Sequence, residues 1–332
     1  MQIGGPLSRR KALAGIGALC LASTAQAEGF GSKPIRILVG FSAGGSTDAL
    51  ARIYAAKLGE ILNTSVIVEN KPGAMQLLAA RPVMAAPPDG YTLWVTSSSA
   101  LSQTPGVRKD LPYDPLKNFT PLAEMADAEA VFVVRAETGL TSVREVVAFA
   151  RDKPGKLNYG SAGVGSANHL LTEYFKVLTG TNLTHIPYKS DPDVVREVIG
   201  GSVDVAIVVA NAVLAHAQNP KLRLLGVTGS QPLAAIPDVP LLTQSGVKEL
   251  RELGTYLFYG ILGPSGMPQA LVQTLNEAVV QASKSPDVVA KLEKQFFKPT
   301  GSTPAEFRQH IERDLAIWKR VGANVKLTEG NT

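Results

Sequence analysis

Ile35-Arg36-Ile37-Leu38-Val39-Gly40-Phe41 runs directly into Ser42-Ala43-Gly44-Gly45-Ser46-Thr47-Asp48. The apolar, partly β-branched run reads as a buried strand, and the Gly-rich turn after it hands the chain to a helix over 47–62. Ser46 reads as the helix cap, with Asp48 in the first turn. Free backbone N–H groups at a helix start, with the dipole behind them, attract anions. Glycines let a ligand approach the backbone. The same pattern also serves as an ordinary strand-to-helix turn.

The other half of the chain repeats the arrangement. Leu157–Ser161 leads into Ser161-Ala162-Gly163-Val164-Gly165-Ser166 and then a helix that contains His169. It is not a dinucleotide loop: Asn168 stands where G-x-G-x-x-G needs its third glycine, and no acidic residue follows about 20 positions on. Ligands of open α/β sheets sit beyond the carboxyl ends of the strands, so the two loops can face one cleft and grip one anion. A third strand end, Trp94-Val95-Thr96-Ser97-Ser98-Ser99, is rich in hydroxyls that either bond a ligand or cap the next element.

Working outward, short apolar runs alternate with helical patterns. Strands are expected over 35–41, 65–69, 92–97, 131–134, 157–161, 185–188, 203–209, 222–228 and 256–262. Helices are expected over 47–62, 76–86, 142–153, 167–179, 193–199, 268–284 and 304–325. This predicts an α/β protein with mostly parallel sheets covered on both faces. The stretches around Pro112-Tyr113-Asp114-Pro115 and 123–130, and later 246–254, read as connectors. They divide the chain into a discontinuous first domain, 28–127 plus 254–332, and a second domain, 128–253. Two crossings between them form a hinge over a cleft.

Residues 1–27 read as a secretory signal: Ser8-Arg9-Arg10-Lys11, an apolar run from Ala12 to Ala22, and Ala25-Gln26-Ala27 as the cleavage site. Export is expected by the Sec or the twin-arginine route. The formal charge is +5, with 33 basic and 28 acidic residues, but three of the basic residues lie in this segment, which leaves +2. No nucleic-acid partner is therefore expected. The single cysteine, Cys20, also lies in the segment, preceded by Leu19. Disulfides, thiolate catalysis and Cys-bound metals are then excluded from the mature chain. The four histidines, His169, His185, His216 and His310, show no i,i+4 metal spacing. His185 reads as a satisfied core histidine and His310 as solvated on a charged C-terminal helix. Neither a nucleophile elbow nor a Walker loop is present.

Pro34-Ile35-Arg36, Gly44–Asp48, Val68-Glu69-Asn70-Lys71-Pro72-Gly73-Ala74, Pro88-Asp89-Gly90-Tyr91-Thr92-Leu93 and Leu111–Pro115 follow one another in the first half. Pro154–Tyr159, Gly165-Ser166 with His169-Leu170, His185-Ile186-Pro187-Tyr188-Lys189, Gly200–Asp204, Pro237–Pro240 and Gly301–Phe307 follow in the second. In this order the motifs resemble the Bug family, the periplasmic substrate-binding proteins of tripartite tricarboxylate transporters. The resemblance implies a two-lobed, Venus-flytrap periplasmic-binding-protein fold, type II-like, that closes on a small organic carboxylate and presents it to a membrane permease. It places the carboxylate grip on Phe41, Ser42, Ala43, Gly44, Gly45, Ser46, Thr47 and Asp48, and on Ser161, Gly165, Ser166 and His169. Ser97 and Ser98 are further candidates. Met75-Gln76-Leu77 stands where the family has Gly-Gly-Asn, and Val208-Val209 where many members have Asp-Asn. A less polar wall at these positions suits an aromatic or otherwise partly apolar carboxylate. The expectation is a periplasmic, monomeric binding protein without cofactor, metal or enzymatic activity. A ligand sensor for a membrane signalling kinase and a small-ester hydrolase are the alternatives.

Overall fold

The computed structural model describes residues 30–31, 33–229, 231–253 and 257–322. The expected signal segment with Cys20, residues 254–256 and the end of the last expected helix lie outside them. The chain opens with β1 (Ile35–Val39), α1 (Ser46–Ile61), β2 (Val66–Asn70), α2 (Leu77–Met84), β3 (Thr92–Ser97), α3 (Thr104–Val107) and β4 (Phe119–Ala128). It continues with β5 (Ala130–Arg135), α4 (Val143–Asp152), β6 (Asn158–Ser161), α5 (Ala167–Thr179), β7 (Thr184–Pro187), α6 (Asp191–Gly200), β8 (Val205–Val209), α7 (Ala210–Val213) and β9 (Leu222–Val227). It closes with β10 (Leu257–Pro264), α8 (Gln269–Lys284), α9 (Pro286–Lys294), β11 (Phe297–Pro299) and α10 (Pro304–Gly322).

The strands form two sheets, ordered β11-β4-β10-β3-β1-β2 and β7-β6-β8-β5-β9, each the core of one lobe. The chain passes from the first to the second at Glu129, between β4 and β5, and returns between β9 and β10. The expectation of mostly parallel sheets is corrected here. β1 pairs in parallel with β2 and β3, and β6 with β7 and β8. β10 runs antiparallel to β3 and β4, β11 to β4, and β5 to β8 and β9. β5 and β10, by which the chain enters each sheet from the other lobe, run against the strands that helices connect, whereas β4, leading out of the first sheet, runs with them.

β4 occupies part of the stretch expected as a connector, and Pro121, Glu124 and Asp127 interrupt its apolar pattern. Glu124 is partnered rather than solvated. His310 Nδ1 on α10 lies 2.6 Å from Glu124 Oε2, and the ring sits 4.3 Å from that of Phe258. His310 is thus a packed contact, not the solvated side chain expected. Arg308, Glu312, Arg313, Lys319 and Arg320 of the same helix do face solvent.

Each lobe fills its core from helix stripes. α1 buries Leu50, Ala51, Tyr54, Ala55 and Leu58, an i, i+4, i+8 face laid on β1 and β3. α5 buries Leu170, Leu171 and Phe175, with Phe175 5.2 Å from Phe132. Tyr174 of α5 reaches across to Trp318 of α10 at 5.8 Å, so the lobes share apolar surface. Among the described residues no helix is long and apolar enough to cross a membrane.

Candidate carboxylate site between the lobes

Three helices begin at one place. α1 starts at Gly45, α5 at Ser166 and α6 at Ser190, and all three starts line a small inner cavity between the lobes. Ser97 of β3, Val209 of β8 and Tyr259 of β10 complete its wall. Its volume is about 20 Å³, room for little more than one water or the head of a ligand. Neither Lys nor Arg lines it; three helix starts, with their dipoles, and the hydroxyls of Ser46, Ser97, Ser166 and Ser190 face it together with the Asp191 carboxyl.

Beside it lies an outer cavity of about 460 Å³. Phe41, Pro72, Met75, Val164 and Tyr188 give it apolar walls, and Lys189 stands at its exposed rim. One side is the segment Gly73–Gln76, whose backbone is left-handed throughout: φ is 115° at Gly73, 47° at Ala74, 51° at Met75 and 68° at Gln76. Each non-glycine residue there costs on the order of 1–2 kcal/mol. Side-chain anchoring offsets that cost. Thr96 Oγ1 donates to Gln76 Oε1 at 2.7 Å, and Gln76 Nε2 donates to Ser99 Oγ at 2.8 Å. Met75 packs so closely on Gly165 of the opposite lobe that a Cβ at Gly165 would lie 2.8 Å from Met75 Cγ.

The sequence-derived candidates separate into those facing the cavities and those that hold them in place. Phe41, Gly45, Ser46, Thr47, Ser97, Ser166 and Val209 line the inner cavity; Phe41, Met75, Gln76, Gly165 and Ser166 line the outer. The remaining candidates line neither. Ser42 and Ala43 sit on the outside of the turn with Gly44. Asp48 instead braces that turn, accepting from Gly44 N, Arg52 Nε and Asn70 Nδ2, each at 2.9 Å. Burial opposes its charge, but these bonds hold the carboxyl below its ordinary range. Ser98 is buried and accepts from Gln103. Val208 points into the second lobe's core on the opposite face from Val209, as strand alternation requires.

Ser161 and His169 belong to a buried stack beneath the second loop. Ser161 Oγ lies 2.6 Å from His185 Nε2, and the His185 ring packs 4.3 Å from His169 and 4.7 Å from Tyr159. His169 Nδ1 accepts from Gly165 N at 3.2 Å and so fixes the turn. Burial pushes both imidazoles down, His169 to about 4 and His185 to about 3.

Two expectations about caps change. Gly45, not Ser46, is the cap of α1, and the Ser46 hydroxyl is released to donate across the cleft to Asn211 Oδ1 at 2.7 Å. Ser166 does cap α5, accepting from His169 N, while its own hydroxyl lies 2.6 Å from both Gly163 O and Asn168 Oδ1. Thr104 Oγ1 adds a second bond across the cleft, donating to Gly165 O at 3.1 Å.

Sequence reading missed Asn168, Ser190, Asp191, Asn211 and Tyr259. A signal for one group was present: Ser190-Asp191-Pro192 is a cap followed by proline in the first turn, directly after a strand. It marks a third strand-to-helix turn.

Residues 50–327 match the model of the tripartite tricarboxylate transporter family receptor, TctC. The chain belongs to this family. A UPF0065 protein of Bordetella pertussis is 33% identical over 310 residues, 93% of this chain and 95% of that one. A solved periplasmic transporter superposes with a TM-score of 0.84 at 34% identity, covering 90% of this chain and all of the other. R. palustris Rpa4515, solved with adipate, gives a TM-score of 0.81 at 30% identity over 88% of this chain and 96% of its own. The chain's two lobes therefore have the binding-protein fold of these relatives, with its two Gly-rich loops on opposite walls of the cleft.

Proposed function

We propose that this receptor captures a small, partly apolar organic carboxylate between its lobes in the periplasm and delivers it, without transforming it, to a transporter permease. The observation that carries the reading is the meeting of three helix starts on one inner cavity without Lys or Arg, opening into an apolar outer cavity. The inner cavity takes the carboxylate head, and Phe41, Met75 and Val164 enclose the body. The chain divides into domains 28–127 plus 254–332 and 128–253, with Glu129, between β4 and β5, at one of the two hinge crossings. Rpa4515 with adipate supports a carboxylate ligand by family likeness. The Ser161–His185 pair does not favour hydrolysis, because Ser161 is fully buried and lines neither cavity.

A thermal-unfolding screen of mono- and dicarboxylates tests the reading. A ligand at about 100 times its dissociation constant stabilises the fold by about 2.7 kcal/mol. A panel spanning C3 to C10 acids with no shift in any member contradicts it.

A further inference from the structure

We propose that Asp191 makes the inner cavity select 2-hydroxy carboxylates, by accepting a hydrogen bond from the hydroxyl next to the ligand's carboxylate. The inference rests on the carboxylate reading above and sharpens it. Asp191 is an acidic residue lining a cavity that three helix starts otherwise make attractive to anions. It is held in place within its own lobe, where Oδ1 accepts from Asn168 Nδ2 at 2.9 Å. The single proton of the neighbouring Ser46 hydroxyl is donated to Asn211 Oδ1, so it leaves the Asp191 carboxyl able to take another donor.

A ligand carboxylate drawn to the same helix starts meets Asp191 as a like charge, and two carboxylates sharing a site repel unless a proton or a donor lies between them. A 2-hydroxyl supplies that donor. Position 2 follows from size: about 20 Å³ admits only the head group, so Asp191 reaches only atoms next to the carboxylate. An ammonium there would face three positive helix ends, whereas a hydroxyl carries no net charge against them. Burial pushes the Asp191 carboxyl up to about 6, against the hydrogen bonding that lowers it.

The test is calorimetric titration with three matched pairs: lactate and propionate, malate and succinate, mandelate and phenylacetate. In the pair whose body suits the outer cavity, the hydroxy acid is expected to bind at least tenfold more tightly at pH 7.5. Asp191→Asn removes the like charge and narrows the gap to about twofold, mainly by strengthening the acid without the hydroxyl. Equal affinities within every binding pair overturn the inference and leave the carboxylate reading standing. Binding by none of the six acids removes both. The wild-type comparison needs no variant, so loss of folding in Asp191→Asn would not rescue the proposal.

Discussion

Asp48 shows how a residue type can point to the right place and do a different task there. Its carboxylate sits in the expected anion-gripping loop, yet it ties Gly44, Arg52 and Asn70 together and faces neither cavity. His169 and His185 do the same under the second loop, and here pH exposes the role. Both are neutral in the folded lobe, because burial lowers them to about 4 and about 3, while an unfolded histidine titrates near 6.5. Below about pH 6.5 the unfolded chain takes up protons that the folded chain refuses, so stability falls as pH drops from there towards 4. Urea unfolding at pH 7.5 and 4.5 checks this. Wild type is expected to lose more stability between the two than His185→Gln, and an equal loss in both would count against a neutral buried pair. His185 was legible as a core residue; His169 stood among the expected ligand-binding residues, and its hold on Gly165 was not legible, since it depends on which turn folds over it.

At the scale of elements, the left-handed segment Ala74–Gln76 is the feature least visible in the sequence. Met and Gln have no intrinsic preference for positive φ, and the run reads as the start of a helix over 76–86. The strand above supplies the conformation, through Thr96 and Ser99 bonded to the Gln76 amide. Ala74 is exposed, so Ala74→Gly relieves backbone strain while removing little packing. The variant is expected to gain up to about 1 kcal/mol in chemical denaturation. A loss of stability would show that the segment stores no strain. β4 escaped for another reason: a strand buried between two antiparallel neighbours needs no alternation when its charges find partners such as His310. By contrast β1, α1, β6 and α5 were legible because local signals and burial agree there: apolar strand, glycine turn, amphipathic helix.

For the whole molecule, the proposed function rests on the coupling of two walls. Ser46 in one lobe reaches Asn211 in the other, Thr104 reaches Gly165, and Met75 packs on Gly165. A ligand head at the inner cavity therefore touches groups that already meet across the cleft. Each charge-assisted hydrogen bond contributes about 1.5–3 kcal/mol, so loss of the Ser46 or the Ser166 hydroxyl weakens binding roughly ten- to a hundredfold. If both serve one closed state, the two losses couple rather than add. The direct measurement is calorimetric titration of the tightest-binding carboxylate into wild type, Ser46→Ala, Ser166→Ala and the double variant. The account predicts a loss of at least tenfold in each single variant and a double loss that departs from their product. Wild-type affinity in both single variants would contradict it, and would leave the loops as ordinary helix starts.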